Sequence, residues 1–190
     1  MKALLASSNP HKAQELARSL PGWEIGLLGG GELPPETGSS YYENARAKAE
    51  FGRALRGGEE WILGEDSGIE VEGLGGRPGI QSARWAAEPV EALLAELRSV
   101  DGDGRRARYV CELVCLGPGG SEFRGTGTLE GRIAEQPRGS EGFGYDPIFV
   151  PDGKTQTVAE LGNAWKAEHS HRARAARALA AALPSAEAAR

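Results

Sequence analysis

Residues 108–116 set the strongest limit on the fold. Read with a period of two, Tyr109, Cys111, Leu113 and Cys115 share one face. Val110, Val114 and Leu116 share the other with Glu112. A strand with apolar residues on both faces needs cover from both sides, as a central strand has. Gly117–Gly120 then turns the chain, and residues 122–129 are expected to return as an antiparallel partner, extended by 131–133. Upstream, strand and helix patterns alternate. A strand over 3–7 leads to a helix from Pro10 to about Leu20, and a strand over 23–28 to a helix from Ser40 to about Arg56. Short strands at 61–63 and 69–71 follow, then a glycine-rich ordered loop over 73–85 and a helix over 87–97. After an apolar run at 148–150 and a helical turn over 157–161, a last helix is expected over 171–183, ended by Pro184. The implied class is α/β, with a mixed sheet flanked by helices.

The chain has 190 residues, enough for one domain with a real core. It has no run of about 18 apolar residues, which argues against a membrane span. The opening Met1–Ala6 is too short and too quickly polar for a signal peptide. Its two cysteines, Cys111 and Cys115, fall on one strand face and make no disulfide or zinc framework. A cytoplasmic location is therefore expected. The net charge of -5 argues against non-specific nucleic-acid binding, but leaves room for a local basic pocket.

Several stretches carry chemistry. Gly64-Glu65-Asp66-Ser67-Gly68 puts two acids between glycines after an apolar run. Such crowded carboxylates suit a divalent cation or a proton-transfer task; the plain alternative is a polar turn. Ser7-Ser8-Asn9-Pro10 leads a strand into a capped helix, whose N-terminus favours anions, with Lys12 in its first turn. The plain alternative is an ordinary capped helix. Glu43, three residues after Ser40, matches a capping box, so its carboxylate either caps its helix or serves a site. Lys48 is either a solvated helix residue or a phosphate ligand. Phe143 lies between Gly142 and Gly144, as a loop anchor or as a stacking platform for a base. Lys166, Ser170, His171 and Arg172 gather cations near a helix start, where they oppose the dipole.

In order, these stretches resemble the inosine/xanthosine triphosphate pyrophosphatases. The matching segments are Ala6–Lys12, Glu43–Ala49, Asp66-Ser67-Gly68, Leu74–Ile80, Ser82-Ala83-Arg84, Gly142–Pro147, Ala159-Glu160-Leu161, Lys166 and Ser170-His171-Arg172. They span nearly the whole chain, read as a single NTP pyrophosphatase domain over 1–190. The resemblance implies a long mixed sheet in two lobes with a central substrate cleft. It also implies cleavage of ITP, dITP or XTP to the monophosphate and pyrophosphate, Mg²⁺ as cofactor, and a homodimer. By the same resemblance Asp66 orients or deprotonates the water, and Glu43 and Asp66 hold Mg²⁺. Asn9, Lys12, Lys48 and Lys166 hold the triphosphate, with Ser7 and Ser8 framing the turn and Ser67 beside it. Phe143 stacks on the base, Tyr145 forms a second wall next to Gly144, and Asp146, His171 and Arg172 read the purine edge. Many relatives carry Asp-Asp where this chain has Glu65-Asp66, which leaves Glu65 either a helper or a metal ligand of longer reach. The rivals are a pyrophosphatase for pyrimidine or modified-base triphosphates and a nucleotide-binding module without catalysis.

Overall fold

The computed structural model describes residues 1–183. The expected end of the last helix at Pro184 lies outside the described residues. Six strands form one sheet: β1 Lys2–Leu5, β2 Glu24–Leu27, β3 Trp61–Val71, β4 Arg106–Leu116, β5 Glu122–Ile133 and β6 Phe149–Pro151, in the order β2-β1-β3-β4-β5-β6. β1 runs parallel to β2 and β3, while β5 and β6 are antiparallel, so the sheet is mixed as expected. The helices are α1 Pro10–Ser19, α2 Tyr41–Arg56, α3 Pro89–Glu96, α4 Val158–His169 and α5 His171–Ala182. None of the described helices is long and apolar enough to cross a membrane.

The chain forms two compact units. The first comprises Met1–Asp66, Cys111–Gly127 and the chain from Arg172; the second comprises Ser67–Val110 and Thr128–His171. In the first, Leu63, Cys111, Leu113 and Cys115 bury one sheet face under α1 (Ala13, Leu16) and α5 (Ala175, Ala176, Leu179). The alternate residues Ile62, Val114 and Leu116 pack on Ala45 and Ala49 of α2. Over residues 111–116 the two faces read from the sequence are therefore both covered, one by α1 and α5 and the other by α2. In the second unit, Ile69, Val71, Tyr109, Leu129 and Phe149 form a core with Leu93 and Leu97. A guanidinium is buried beside it: Arg105 donates to the carbonyls of Leu97, Val100, Ile133 and Ala134.

Local chemistry explains most element ends. Asn9 caps α1 by accepting from the His11 N–H, with Pro10 in the first position. Ser40 caps α2 by accepting from the Glu43 N–H. Two expectations change. α4 continues well past the short turn expected at 157–161, because Thr157 and Glu160 make a complete capping box. Gly162, at φ +84°, interrupts its helical backbone and hid the continuation in the sequence. The second change concerns the acidic stretch: Gly64–Gly68 is no turn, and the two short strands expected around it are one eleven-residue strand.

Gly64 is needed there for a close approach. A Cβ on it would lie 1.9 Å from the Ala45 carbonyl oxygen and 2.8 Å from the Ala49 amide nitrogen, so α2 rests on strand β3 main chain to main chain. Neither backbone atom has a rotamer with which to yield. Gly64→Ala is expected to destabilise the fold by about 3 kcal/mol, the upper end of overpacking costs, in urea unfolding. A loss under about 0.5 kcal/mol would mean that the helix seat is not fixed by this contact.

Candidate active site

β3 separates the two adjacent acids. Successive strand side chains point to opposite faces. Glu65 therefore follows Leu63 toward α1 and α5, and Asp66 follows Ile62 toward α2. Their partners agree.

Glu65 is 1% exposed. Its Oε2 lies 2.5 Å from Lys12 Nζ. Its Oε1 accepts from Arg172 Nε at 3.1 Å and Nη2 at 2.8 Å. The other arm of Arg172 donates to Glu15 Oε2 at 2.5 Å. Lys12 and Glu15 are three residues apart, hence on one face of α1. The result is a buried alternating chain of charges, Lys12–Glu65–Arg172–Glu15. Burial alone would raise the Glu65 carboxyl, but Lys12, Arg172 and Lys48 outweigh it and hold it well below the ordinary carboxylate range. Burial opposes the Arg172 charge, and Glu65 and Glu15 restore it. Cys111 Sγ lies 3.6 Å from Glu65 Oε1, and burial together with that carboxylate keeps the thiol protonated.

Asp66, on the opposite face, is 3% exposed. Asn44 Nδ2 donates to its Oδ2 at 3.0 Å, and Lys48 Nζ to its Oδ1 at 2.9 Å. Asn44 and Lys48 are one turn apart on α2, beside the Ala45 and Ala49 that seat it. Lys48 is buried, not solvated; its ammonium also donates to the Glu65 carbonyl at 3.1 Å and pairs with Glu36. Burial raises the Asp66 carboxyl, against the pull of Lys48 and Asn44.

Glu43 takes neither path. It is exposed, and its carboxylate accepts from the Ser39 N–H at 2.6 Å and the Ser39 hydroxyl at 2.8 Å. These bonds hold its pKa down. It therefore acts as a cap at the start of α2, reaching one residue beyond the Ser40 of the expected capping box. The carboxylate that shares Lys48 with Asp66 is Glu36, which the sequence reading passed over. Among the described residues, no group of three or more His, Cys, Asp or Glu could hold a metal. In the turn before α1, Ser7 Oγ accepts from the Asn9 N–H and Asn9 Oδ1 from the His11 N–H, while Ser8 is exposed. Ser7 and Asn9 thus shape the turn that aims Lys12.

In the second unit the hub is Asp146, 3% exposed. Its Oδ2 accepts from Lys166 Nζ at 2.6 Å and the Phe143 N–H at 2.8 Å, and the Tyr109 hydroxyl donates to Oδ1 at 3.3 Å. Gly142, at φ +80°, is required by this turn, since a Cβ there would lie 2.2 Å from the carboxylate. Lys166 Nζ stands 4.5 Å from the centre of the half-buried Phe143 ring. The His171 ring stacks on Tyr109 at 4.5 Å, 11° from parallel. Gly144 is exposed and Ser67 half-buried.

Three of the expected site residues are engaged by other groups of the protein. Lys166, expected on the triphosphate, belongs with Asp146 and Phe143. Arg172, expected at the purine edge, is tied to Glu15 and Glu65. Tyr145, expected as an outer wall, is a core residue whose hydroxyl donates to the Ser82 carbonyl at 3.0 Å and whose pKa burial pushes up to about 12. Glu15 was open to discovery in the sequence through its spacing from Lys12. Glu36, in a segment without periodicity, was not.

Removing the Glu65 charge takes away the carboxylate between the buried Arg172 and the half-buried Lys12. Glu65→Gln is expected to cost about 3–5 kcal/mol in chemical unfolding without added metal. Because the folded carboxyl titrates well below its ordinary 4.5, the native contribution is complete at neutral pH and is lost only as the pH falls below that value. The variant should therefore lose less stability than the native chain on acidification. An equal acid loss would remove Glu65 as the source.

Residues 3–182 match the model of the Ham1 family. A dITP/XTP pyrophosphatase of Bdellovibrio bacteriovorus is 40% identical over 193 residues, covering 94% of this chain and 96% of the relative. Among solved structures, the Ham1 protein of Staphylococcus aureus superposes with a TM-score of 0.80 at 34% identity, over 95% of this chain and 97% of that one. The Mycobacterium abscessus nucleoside-triphosphatase / dITP/XTP pyrophosphatase gives a TM-score of 0.72 at 40% identity, over 97% and 98%.

Proposed function

The chain belongs to the Ham1 family, and from that premise we propose that it hydrolyses non-canonical purine nucleoside triphosphates (ITP, dITP and XTP) to the monophosphate and pyrophosphate. The observation that carries the chemical part is Asp66. A carboxylate buried in a strand and fixed by an amide and an ammonium is placed to serve as a base. Raised by burial, it is a better proton acceptor than an ordinary aspartate.

The residues fit a divalent cation. An ammonium already lies between the Asp66 and Glu36 carboxylates, so both are turned toward one positive charge. Mg²⁺ needs no larger protein cage, since it takes one or two carboxylates and completes its shell with phosphate and water. We assign the cation to Asp66 and Glu36, and leave Glu43 to the start of α2. When bound, Mg²⁺ would neutralise charge on the phosphate oxygens near the α-phosphorus.

The protein's own groups do the rest. Asp66 accepts the proton of the water that attacks the α-phosphorus, and Asn44 fixes the second carboxylate oxygen so that the first keeps its aim. Lys12 and Lys48 take the charge of the departing pyrophosphate. Glu65, itself locked by Arg172, holds Lys12 in place, while Ser7, Ser8 and Asn9 frame the turn. In the second unit, Phe143 stacks on the base and Lys166 donates to the 6-oxo group, with Asp146 holding Lys166 and Tyr109 backing His171. Ser67 and Gly144 complete the substrate contacts. A donor at this position accepts inosine and xanthine, and is left unpaired by the 6-amino group of adenine. Residues 1–190 would act as a single catalytic domain, in a cytoplasmic homodimer.

Two measurements test this reading. Asp66→Asn is expected to lower the rate of pyrophosphate release by a factor of 10³ or more on the order of general-base losses combined with a lost cation ligand, while nucleotide binding changes little. Retained turnover would remove Asp66 from the chemistry. In a panel of triphosphates with Mg²⁺, ITP, dITP and XTP should be cleaved fastest, with pyrophosphate as first product. Faster cleavage of dTTP or UTP, or orthophosphate as first product, would replace the proposed substrate or reaction.

A further inference from the structure

The ammonium of Lys48 has three N–H donors, and all three have partners: Asp66 Oδ1, the Glu65 carbonyl and the Glu36 carboxylate. The Lys48 side chain is 7% exposed. It therefore occupies the place, between two carboxylates, that a divalent cation would need. We propose that Lys48 is the resident counter-ion of the Glu36–Asp66 pair, and that it bars a divalent cation until a triphosphate draws it away. This rests on the assignment of the cation to Asp66 and Glu36.

Charge decides the order of events. Two carboxylates and one ammonium leave a net charge of one negative. Adding a dication while the ammonium stays would set three positive charges against two negative ones in a buried site, where like charges repel strongly. A polyphosphate changes the balance, because it offers Lys48 anionic oxygens to replace the two carboxylates. Lys48 can then leave without becoming an unpaired buried charge, and the cation replaces it. Cation and nucleotide load together, and the protein alone holds the metal weakly. Lys12 has no such part, since its partner Glu65 is on the other face of β3.

The test is cation binding, read without catalysis. Mn²⁺ is titrated by electron paramagnetic resonance into the native protein, Lys48→Gln and Lys48→Met, without nucleotide. Both variants should bind Mn²⁺ at least about tenfold more tightly than the native protein. Added Mg²⁺ should raise their melting temperature and leave that of the native protein unchanged. The double variant Lys48→Gln/Glu36→Gln should lose the gain. Equal affinity in all forms overturns the proposal. A second arm needs only the native protein, in case the variants fold poorly. The side-chain amide signals of Asn44, bonded to Asp66, should stay sharp with Mn²⁺ alone and broaden once a non-hydrolysable inosine triphosphate analogue is added. Broadening by Mn²⁺ alone overturns the counter-ion role and keeps the metal site. No broadening even with the analogue removes the metal site and the proposal with it.

Discussion

The pleat of β3 is the constraint on which the first unit depends. Two adjacent acids in a loop could crowd one cation. In an extended strand they cannot, because each successive side chain takes the opposite face. Glu65 thus faces Lys12 and Arg172, and Asp66 faces Asn44 and Lys48. The repulsion that two neighbouring carboxylates would suffer is relieved twice, by a separate set of cations on each side. One side is closed and internally neutral, with Glu15 balancing the second cation. The other keeps an excess negative charge. That asymmetry sets the two acids apart: Glu65 is balanced within its own chain of ion pairs, whereas Asp66 shares its cation with a second carboxylate.

Much of this was legible in the sequence. The covered strand at residues 108–116, the Asn9 and Ser40 caps and the alternation of strands and helices all follow from local pattern, and each is present. The acidic stretch was misread for a physical reason. Glycine, aspartate and serine are poor strand residues in isolation, and here tertiary packing overrides that preference: Gly64 is in the strand because α2 must touch it. The choice of acids was half legible. Asp66 stood out in the sequence, and it is the acid whose carboxylate meets Asn44 and Lys48. Glu43 stood out because it sits in a patterned helix, whereas Glu36, which pairs with Lys48, lies in a glycine- and proline-rich segment with no period to place it. The partners of Lys166 and Arg172 were hidden for a similar reason: sequence order gives their proximity to a helix start, but not that Lys166 meets Asp146 and Arg172 meets Glu65 and Glu15.

The second unit is organised around one buried carboxylate as well. Asp146 gathers an ammonium, a phenol and a backbone N–H, and the ring of Phe143 lies under the same ammonium. A charge held this way keeps its direction, which a hydrogen-bond donor must do if it is to distinguish an oxo from an amino group. Tyr145, one residue away, instead anchors the loop to the core through the Ser82 carbonyl.

The bare contact between β3 and α2 has a mechanical consequence. Where two elements meet through side chains, a change in one is absorbed by rotamer shifts in the other, and the gap between them can breathe. At Gly64 there is nothing between the strand and the Ala45 carbonyl to absorb anything. Asn44 and Lys48 flank that contact on the same helix, so their distance from Asp66 is gauged by the stiffness of two backbones. The glycine acts as a machinist's shim of zero thickness, setting the clearance around the Asp66 carboxylate.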